Sequence, residues 1–534
     1  MSSAACSGGG AAAAVVAAAV DATVNGGDLA VARPDADEPP DVAVDAAVDA
    51  AVDVAIDSGV SAPDTPAAEL APADVPGDTE PDQPDAISSD VDPALGLDAA
   101  LPDAPLPDAP LPDAPLPDTG PPPDTGPPPA VECAPTAAQC PKAPDECNQT
   151  GGSFSPTAGK LVSVSPAGFM LQDTGTWAVN SGLIASIAST TSATATNLDT
   201  VLGDLNRTAA KIASHPDVPC FNSGFTWESG DQDVAYWIPQ GIAGTATANA
   251  ANSWAGKKVL VVSWYYDPAA TSAPSLNKGS RLAVVDVTNL TAAKYRLVLL
   301  AEPVTKNGVA TLQPIEVHAG GISWQNNYLY VADTSHGFRV FDFTQMLQVQ
   351  TSDSDVLGES AGNFYAYGYK YVLPQVGRYS LCASSCCARF SFVEADMSTN
   401  PPSLLAGEYS VDTLLGRLHR WPLDPLTGRL QTQANTVHAS EVLYPGMVKV
   451  QGAQSWNGHY VMSSSAAKAT TPKGAGSLYR ATVGGNIAVH EWPHHPEDFT
   501  YSPTSDNLWC LTEDAGERAV FSVKLQSLLG GCGQ

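Results

Sequence analysis

Apolar residues in the second half of this chain come in short runs, and the runs come in pairs. One copy reads Asn327-Tyr328-Leu329-Tyr330-Val331-Ala332-Asp333, then a turn, then Gly337-Phe338-Arg339-Val340-Phe341-Asp342. Each run is strand length, and a Gly-bearing turn joins the two. Comparable pairs are predicted at 258–264 with 281–287, 403–409 with 417–423, 459–464 with 477–482, and 508–513 with 518–524. Outer strands are predicted at 295–301, 370–374, 428–431 and 486–492. Each pair follows a candidate inner strand that opens on polar or glycine residues. These are Pro239-Gln240-Gly241-Ile242, His318-Ala319-Gly320-Gly321-Ile322, Ser391-Phe392-Val393-Glu394, Val450-Gln451-Gly452-Ala453 and Pro496-Glu497-Asp498-Phe499.

A strand–turn–strand unit recurring every ~45–80 residues predicts an all-β chain folded as a β-propeller. Five blades are expected over 233–534, or six if a degenerate blade lies within 151–232; a β-sandwich is the alternative. The fifth pair has no outer strand of its own. Because an open ring leaves unpaired edges, an N-terminal strand at 160–164 or 168–171 is expected to close it. In the lead-in, 131–232, Leu198, Val201, Leu202, Leu205, Ala209 and Ile212 recur at helical spacing, which predicts an amphipathic helix ended by His215-Pro216.

Composition separates residues 1–130 from the rest. They hold twenty-five of the 57 acidic residues, one base (Arg33) and no aromatic residue. Such a stretch buries too little apolar surface to offset its ordering entropy, so it reads as a disordered acidic tether. Its Leu-Pro-Asp-Ala-Pro repeats after Leu101 favour extended polyproline II. The formal net charge of −32 excludes nucleic acid and anionic membrane as partners bound through charge.

The ten cysteines are Cys6, Cys133, Cys140, Cys147, Cys220, Cys382, Cys386, Cys387, Cys510 and Cys532. No C-x-x-C pair occurs, so zinc is the weaker reading. Apart from Cys6, all are disulfide candidates in an oxidising compartment. Ser3-Ala4-Ala5-Cys6 resembles the cleavage box of bacterial lipoproteins, with Ser3 where that family usually has Leu. The resemblance implies lipid on Cys6, a signal peptide upstream of Met1, and a place on the cell envelope or surface with the lipid as sole membrane contact.

Catalytic motifs are scarce. His490-Glu491-Trp492-Pro493-His494 matches the zinc-protease spacing, but Pro493 lies inside the helical turn that this chemistry requires. No nucleophile elbow, phosphate-binding loop or EF-hand is present. The remaining candidates rest on blade phase: Gln240, His318, Glu394, Gln451, Glu497 and Asp498 stand at similar places in their inner strands and are expected to converge on the central channel. Converging carboxylates and His could hold a divalent metal such as calcium, or grip a sugar hydroxyl. The segments 318–322 with 328–333, 369–374, and Pro496-Glu497-Asp498 followed by Leu508-Trp509 and Glu513 resemble a group of uncharacterised secreted bacterial propeller proteins over about 219–524. That resemblance implies export and a propeller, and brings no catalytic residue. The expected function is a surface module that binds an extracellular ligand or protein; the alternative is a secreted hydrolase, a glycosidase or lactonase-like esterase, with its site in the channel.

Overall fold

The computed structural model describes residues 156–166, 169–271, 276–334, 336–381, 388–466 and 475–532. The described chain is all-β and propeller-like, built from antiparallel four-stranded runs. The first comprises Trp237–Gly244, Val259–Tyr266, Ser280–Asp286 and Lys294–Lys306. The second comprises Ile322–Gln325, Tyr328–Asp333, Gly337–Asp342 and Tyr371–Leu381. The third comprises Phe390–Asp396, Ser403–Glu408, Leu418–Pro422 and Glu441–Tyr444. The fourth comprises Val450–Trp456, His459–Ser464, Gly476–Thr482 and Ala488–Trp492. The last comprises Pro496–Ser502, Asn507–Thr512, Val520–Lys524 and, from the N-terminal side, Phe221–Thr226. Each first strand lies against the first strand of the next run, and the last lies against Trp237–Gly244, so the set comes round on itself.

Burial explains why the strands read as nearly continuous apolar runs. Val259–Tyr266 is buried along its whole length because both faces are covered. Wedges of core fill the gaps between neighbouring runs. Val261, Val284 and Val298 meet Ile322, Trp324 and Leu329 between the first and second. Tyr330 and Phe338 meet Phe390 and Trp421 between the second and third. Phe392 and Leu405 meet Ala453 and Met462; Leu478 and Trp492 meet Phe499 and Phe521; Phe225 and Trp509 meet Val262 and Trp264. At the centre the inner strands approach so closely that side chains are excluded. A Cβ on Gly241 would stand 2.9 Å from the amide nitrogen of Ile322, and one on Gly452 would stand 2.8 Å from the Cα of Asp498.

The expected closing strands lie elsewhere. Val162–Val164 pairs with Glu441–Tyr444 on the outer edge of the third run, and Met170–Asp173 bridges Tyr371–Leu381 and Thr436–His438. The strand beside Val520–Lys524 is Phe221–Thr226, and Cys220 just before it forms a disulfide with Cys532 across a separation of 312 residues. The third run's outer strand is Glu441–Tyr444, whereas 428–431 contributes a single bridge, Leu430 to Leu423. The predicted long helix is one turn and a half, Leu198–Leu202, capped by the Asn197 side chain and ended at Gly203; Arg207–Thr208 and Ala210–Ile212 are strands. The longest described helix is Trp177–Ala188, which sets Asn180, Ile184 and Ile187 against outer strands.

Cys510 is a correction. It was a disulfide candidate, but it is a buried free thiol among Trp492, Phe499 and Phe521. Burial pushes that thiol upward in pKa, and Cys220 and Cys532 are bonded to each other. Cys6, Cys133, Cys140, Cys147, Cys382, Cys386, Cys387 and the tether at 1–130 lie outside the described residues.

Candidate functional site

The inner strands carry the phase-matched polar residues, and two of them meet at the centre. Asp498 and Glu394 have no solvent exposure. Asp498 Oδ2 accepts backbone N–H bonds from Ile242 and Ile322, each at 3.3 Å, so one carboxyl ties three runs together. Among the described residues its Oδ1 and Glu394 Oε2 have no hydrogen-bond partner, while Glu394 Oε1 accepts from Thr500 Oγ1 at 3.5 Å. Burial holds both carboxyls well above the usual carboxylate range, and the charge of Asp498 adds to the effect on Glu394.

A pH dependence follows. Both acids hold a proton more tightly in the folded chain than in the unfolded chain. Their contribution to stability is complete below about pH 4, the ordinary carboxyl value, and is lost as pH rises toward the folded values. Asp498→Asn and Glu394→Gln abolish that titration. The urea midpoint of the parent is therefore expected to fall, relative to either variant, as pH rises from about 4 to 8. A difference between parent and variant that is constant across that range contradicts neutral acids at the centre.

Of the other four expected residues, His318 precedes its inner strand, Gln451 and Glu497 stand second in theirs, and Gln240 lies at a bulge within Trp237–Gly244. Gln240, 1 % exposed, donates to Glu513 Oε2 at 2.5 Å. Gln451 donates to Glu497 Oε1 at 3.3 Å, and Glu497 is 2 % exposed. His318, ahead of Ile322–Gln325, lies on the ring of Tyr265 with centroids 4.4 Å apart. His490 and Glu491 lie on the strand Ala488–Trp492, so the protease-like spacing forms no helix. Just ahead of Pro496–Ser502, His494 and His495 face Asp514, with each Nδ1 2.9 Å from a different oxygen of its carboxylate. The two imidazoles hold that carboxyl far below its ordinary pKa, against the effect of burial.

A second arrangement was not expected from sequence. A cavity of about 580 Å³ opens beside the first run. Its lining includes the cations Arg207, Lys278, Arg281, Arg296 and Lys370 and the rings of Tyr236, Trp237, Tyr266, Tyr367 and Tyr369, and among the described residues it contains no carboxylate. The carboxylates that pair with these cations stand behind them. Asp231 takes Arg281 at 2.9 Å and Arg207 at 3.1 Å. Asp204 takes Lys370 at 2.7 Å and Arg296 at 3.5 Å. Glu228 lies 3.7 Å from Arg207. Lys278 donates to the Ser354 carbonyl at 3.0 Å and stands 5.5 Å from the Tyr367 ring centroid. The Arg281 guanidinium lies over Trp237, 4.3 Å from its centroid. The lining itself carries only positive charge, in a strongly acidic chain. The volume suits a small-molecule site.

Comparison with known proteins gives weak structural likeness only. No protein-family profile matches the chain, and no curated protein matches it. Among solved structures it is similar to hydrazine synthase of Kuenenia stuttgartiensis, at 11 % identity over 51 % of this chain and 73 % of that one, with a TM-score of 0.24. It is similar to a family 43 arabinoxylan arabinofuranohydrolase of Bacillus subtilis, at 10 % identity and a TM-score of 0.26, covering 55 % of this chain and 63 % of that one. PhoX of Pseudomonas fluorescens matches at 9 % identity over 64 % of this chain and 97 % of that one, with a TM-score of 0.29. Likeness at this level assigns no activity.

Proposed function

We propose that this chain is a five-bladed propeller, closed by Phe221–Thr226, that works outside the cytoplasm as a binding module for an anionic saccharide. The observation that carries the ligand class is the cavity lined by five cations and five aromatic rings with no carboxylate. Guanidinium and ammonium groups pair with a sugar carboxylate, and tyrosine faces suit the apolar side of a pyranose ring. The Cys220–Cys532 disulfide agrees with an oxidising compartment, and Cys6 is the proposed lipid anchor.

Calorimetry with oligogalacturonate and with its neutral galactose counterpart tests the ligand class. Binding is expected for the acidic oligomer alone, weakening with salt. The double substitution Lys278→Glu with Tyr367→Ala should reduce affinity at least about tenfold, the effect of losing roughly 1.4 kcal/mol. Equal affinity for the neutral oligomer, or no binding to either, overturns the reading. Cys6→Ala in the full-length precursor should release the protein from membranes. A hydrolase is the second reading, favoured by Glu497, Glu513 and Asp514 standing with His495 near the inner-strand entrances. Turnover of any glycan or ester in a broad panel, abolished by Glu497→Gln, would decide for it.

A further inference from the structure

We propose that His494, His495 and Asp514 form a binding site for a divalent first-row transition metal, with zinc the best-suited ion. Three potential ligand atoms, one from each residue, lie within 4.8 Å of one another. The two rings stack with centroids 3.6 Å apart, and each presents Nδ1 to a different oxygen of the same carboxylate at 2.9 Å. Each imidazole nitrogen is thus within reach of the carboxylate, and an ion with bonds of about 2.1 Å would be held once the stacked rings splay apart to aim both nitrogens at it.

The backbone is bent to produce this. His495 has φ +39°, a left-handed conformation that costs a non-glycine residue on the order of 1–3 kcal/mol and recurs at ligand clamps. That turn puts two consecutive imidazoles on one side of the chain. The site is accessible, with side-chain exposures of 43 % for His494, 16 % for His495 and 33 % for Asp514. Glu513 adds a flanking carboxylate, its Oε1 4.0 Å from His495 Nδ1 while Gln240 holds its Oε2. Two imidazole nitrogens and one carboxylate oxygen suit zinc, nickel or copper. Calcium and magnesium prefer all-oxygen shells. Three protein donors leave a position open to water or to an oxygen of a bound ligand.

The competing role is a metal-free clasp in which Asp514 simply accepts two N–H bonds. Full-length protein stripped with chelator and titrated with zinc chloride by calorimetry separates the two. One equivalent per chain is expected to bind at micromolar or tighter affinity. His494→Ala and Asp514→Asn should each weaken it at least about tenfold, whereas the exposed His459→Ala should not. Cobalt substitution should give visible ligand-field bands without the intense near-ultraviolet band of a cobalt–thiolate bond. The proposal is overturned by undiminished zinc affinity in both variants, by a thiolate band that moves the site to cysteines, or by no zinc binding in parent protein that circular dichroism shows to be folded.

Discussion

Gly321→Ala is expected to destabilise the protein by about 3 kcal/mol, the upper end of what overpacking a closed core costs. The added methyl would fall on the Cα of Phe392 and the amide nitrogen of Val393, far inside van der Waals contact. Those atoms are backbone of the neighbouring inner strand, so no side-chain rotation relieves the overlap. Gly182→Ala is the control. It lies exposed in the helix Trp177–Ala188 with nothing within 4 Å of the new Cβ, and alanine there should stabilise by roughly 0.5–1 kcal/mol. Urea unfolding followed by tryptophan fluorescence measures both. Matching midpoints for the two variants would show that the inner strands are not held this close.

Removing the Cys220–Cys532 bond ranks beside it. The pair joins the strand Phe221–Thr226 to the helix Leu525–Leu529, near the seam where the last run takes a strand from the other side of the chain. A cross-link over 312 residues restricts the unfolded chain strongly, and losing it is expected to cost about 2–5 kcal/mol. The double variant Cys220→Ala with Cys532→Ala should also expose the seam selectively. Hydrogen exchange should quicken first at Phe221–Thr226 and Val520–Lys524, ahead of the Val259–Tyr266 strand. Uniform quickening would mean that the bond stabilises the whole ring and not its seam. The buried Cys510 should resist alkylation in the folded parent throughout.

Strand pairs were readable in the sequence where both faces of a strand are buried. The runs around Val259–Tyr266 and Tyr328–Asp333 announce themselves by nearly continuous apolar residues. The strand that joins the last run from the N-terminal side does not. Phe221-Asn222-Ser223-Gly224-Phe225-Thr226 is half polar, lies between Val520–Lys524 and the short strand Ala210–Ile212, and is defined by its partners more than by its own pattern. The helix Trp177–Ala188 is rich in alanine and serine and buries only three positions, so no apolar stripe marks it. The converse error arose at 198–212, where helical spacing was present but Gly203 ends the helix and tertiary pairing draws the remainder into strands. Blade phase placed Gln240, Glu394, Gln451, Glu497 and Asp498 within inner strands, since the period that defines the blades also defines their starts. It could not distinguish an entrance from a packed centre, because that depends on how near the glycines let neighbouring strands come. The cationic cavity was illegible for another reason. Its bases come from segments near 207, 278–281, 296 and 370, which only the fold brings together.

The pairing of Phe221–Thr226 with Val520–Lys524 also sets the order of events when the chain is made. A growing chain presents the earlier strand first, and its partner appears only after nearly three hundred further residues. Until then the intervening sheets can form locally, but the ring has two raw ends. Contacts of such long sequence separation form slowly. The thiol of Cys220 must likewise wait through the whole interval while other cysteines pass by. Assembly of this protein therefore waits for Val520–Lys524: a chain stopped short of Val520 would hold most of its sheets yet leave Phe221–Thr226 and Asn507–Thr512 without the strand that joins them, and would offer both open edges to other chains.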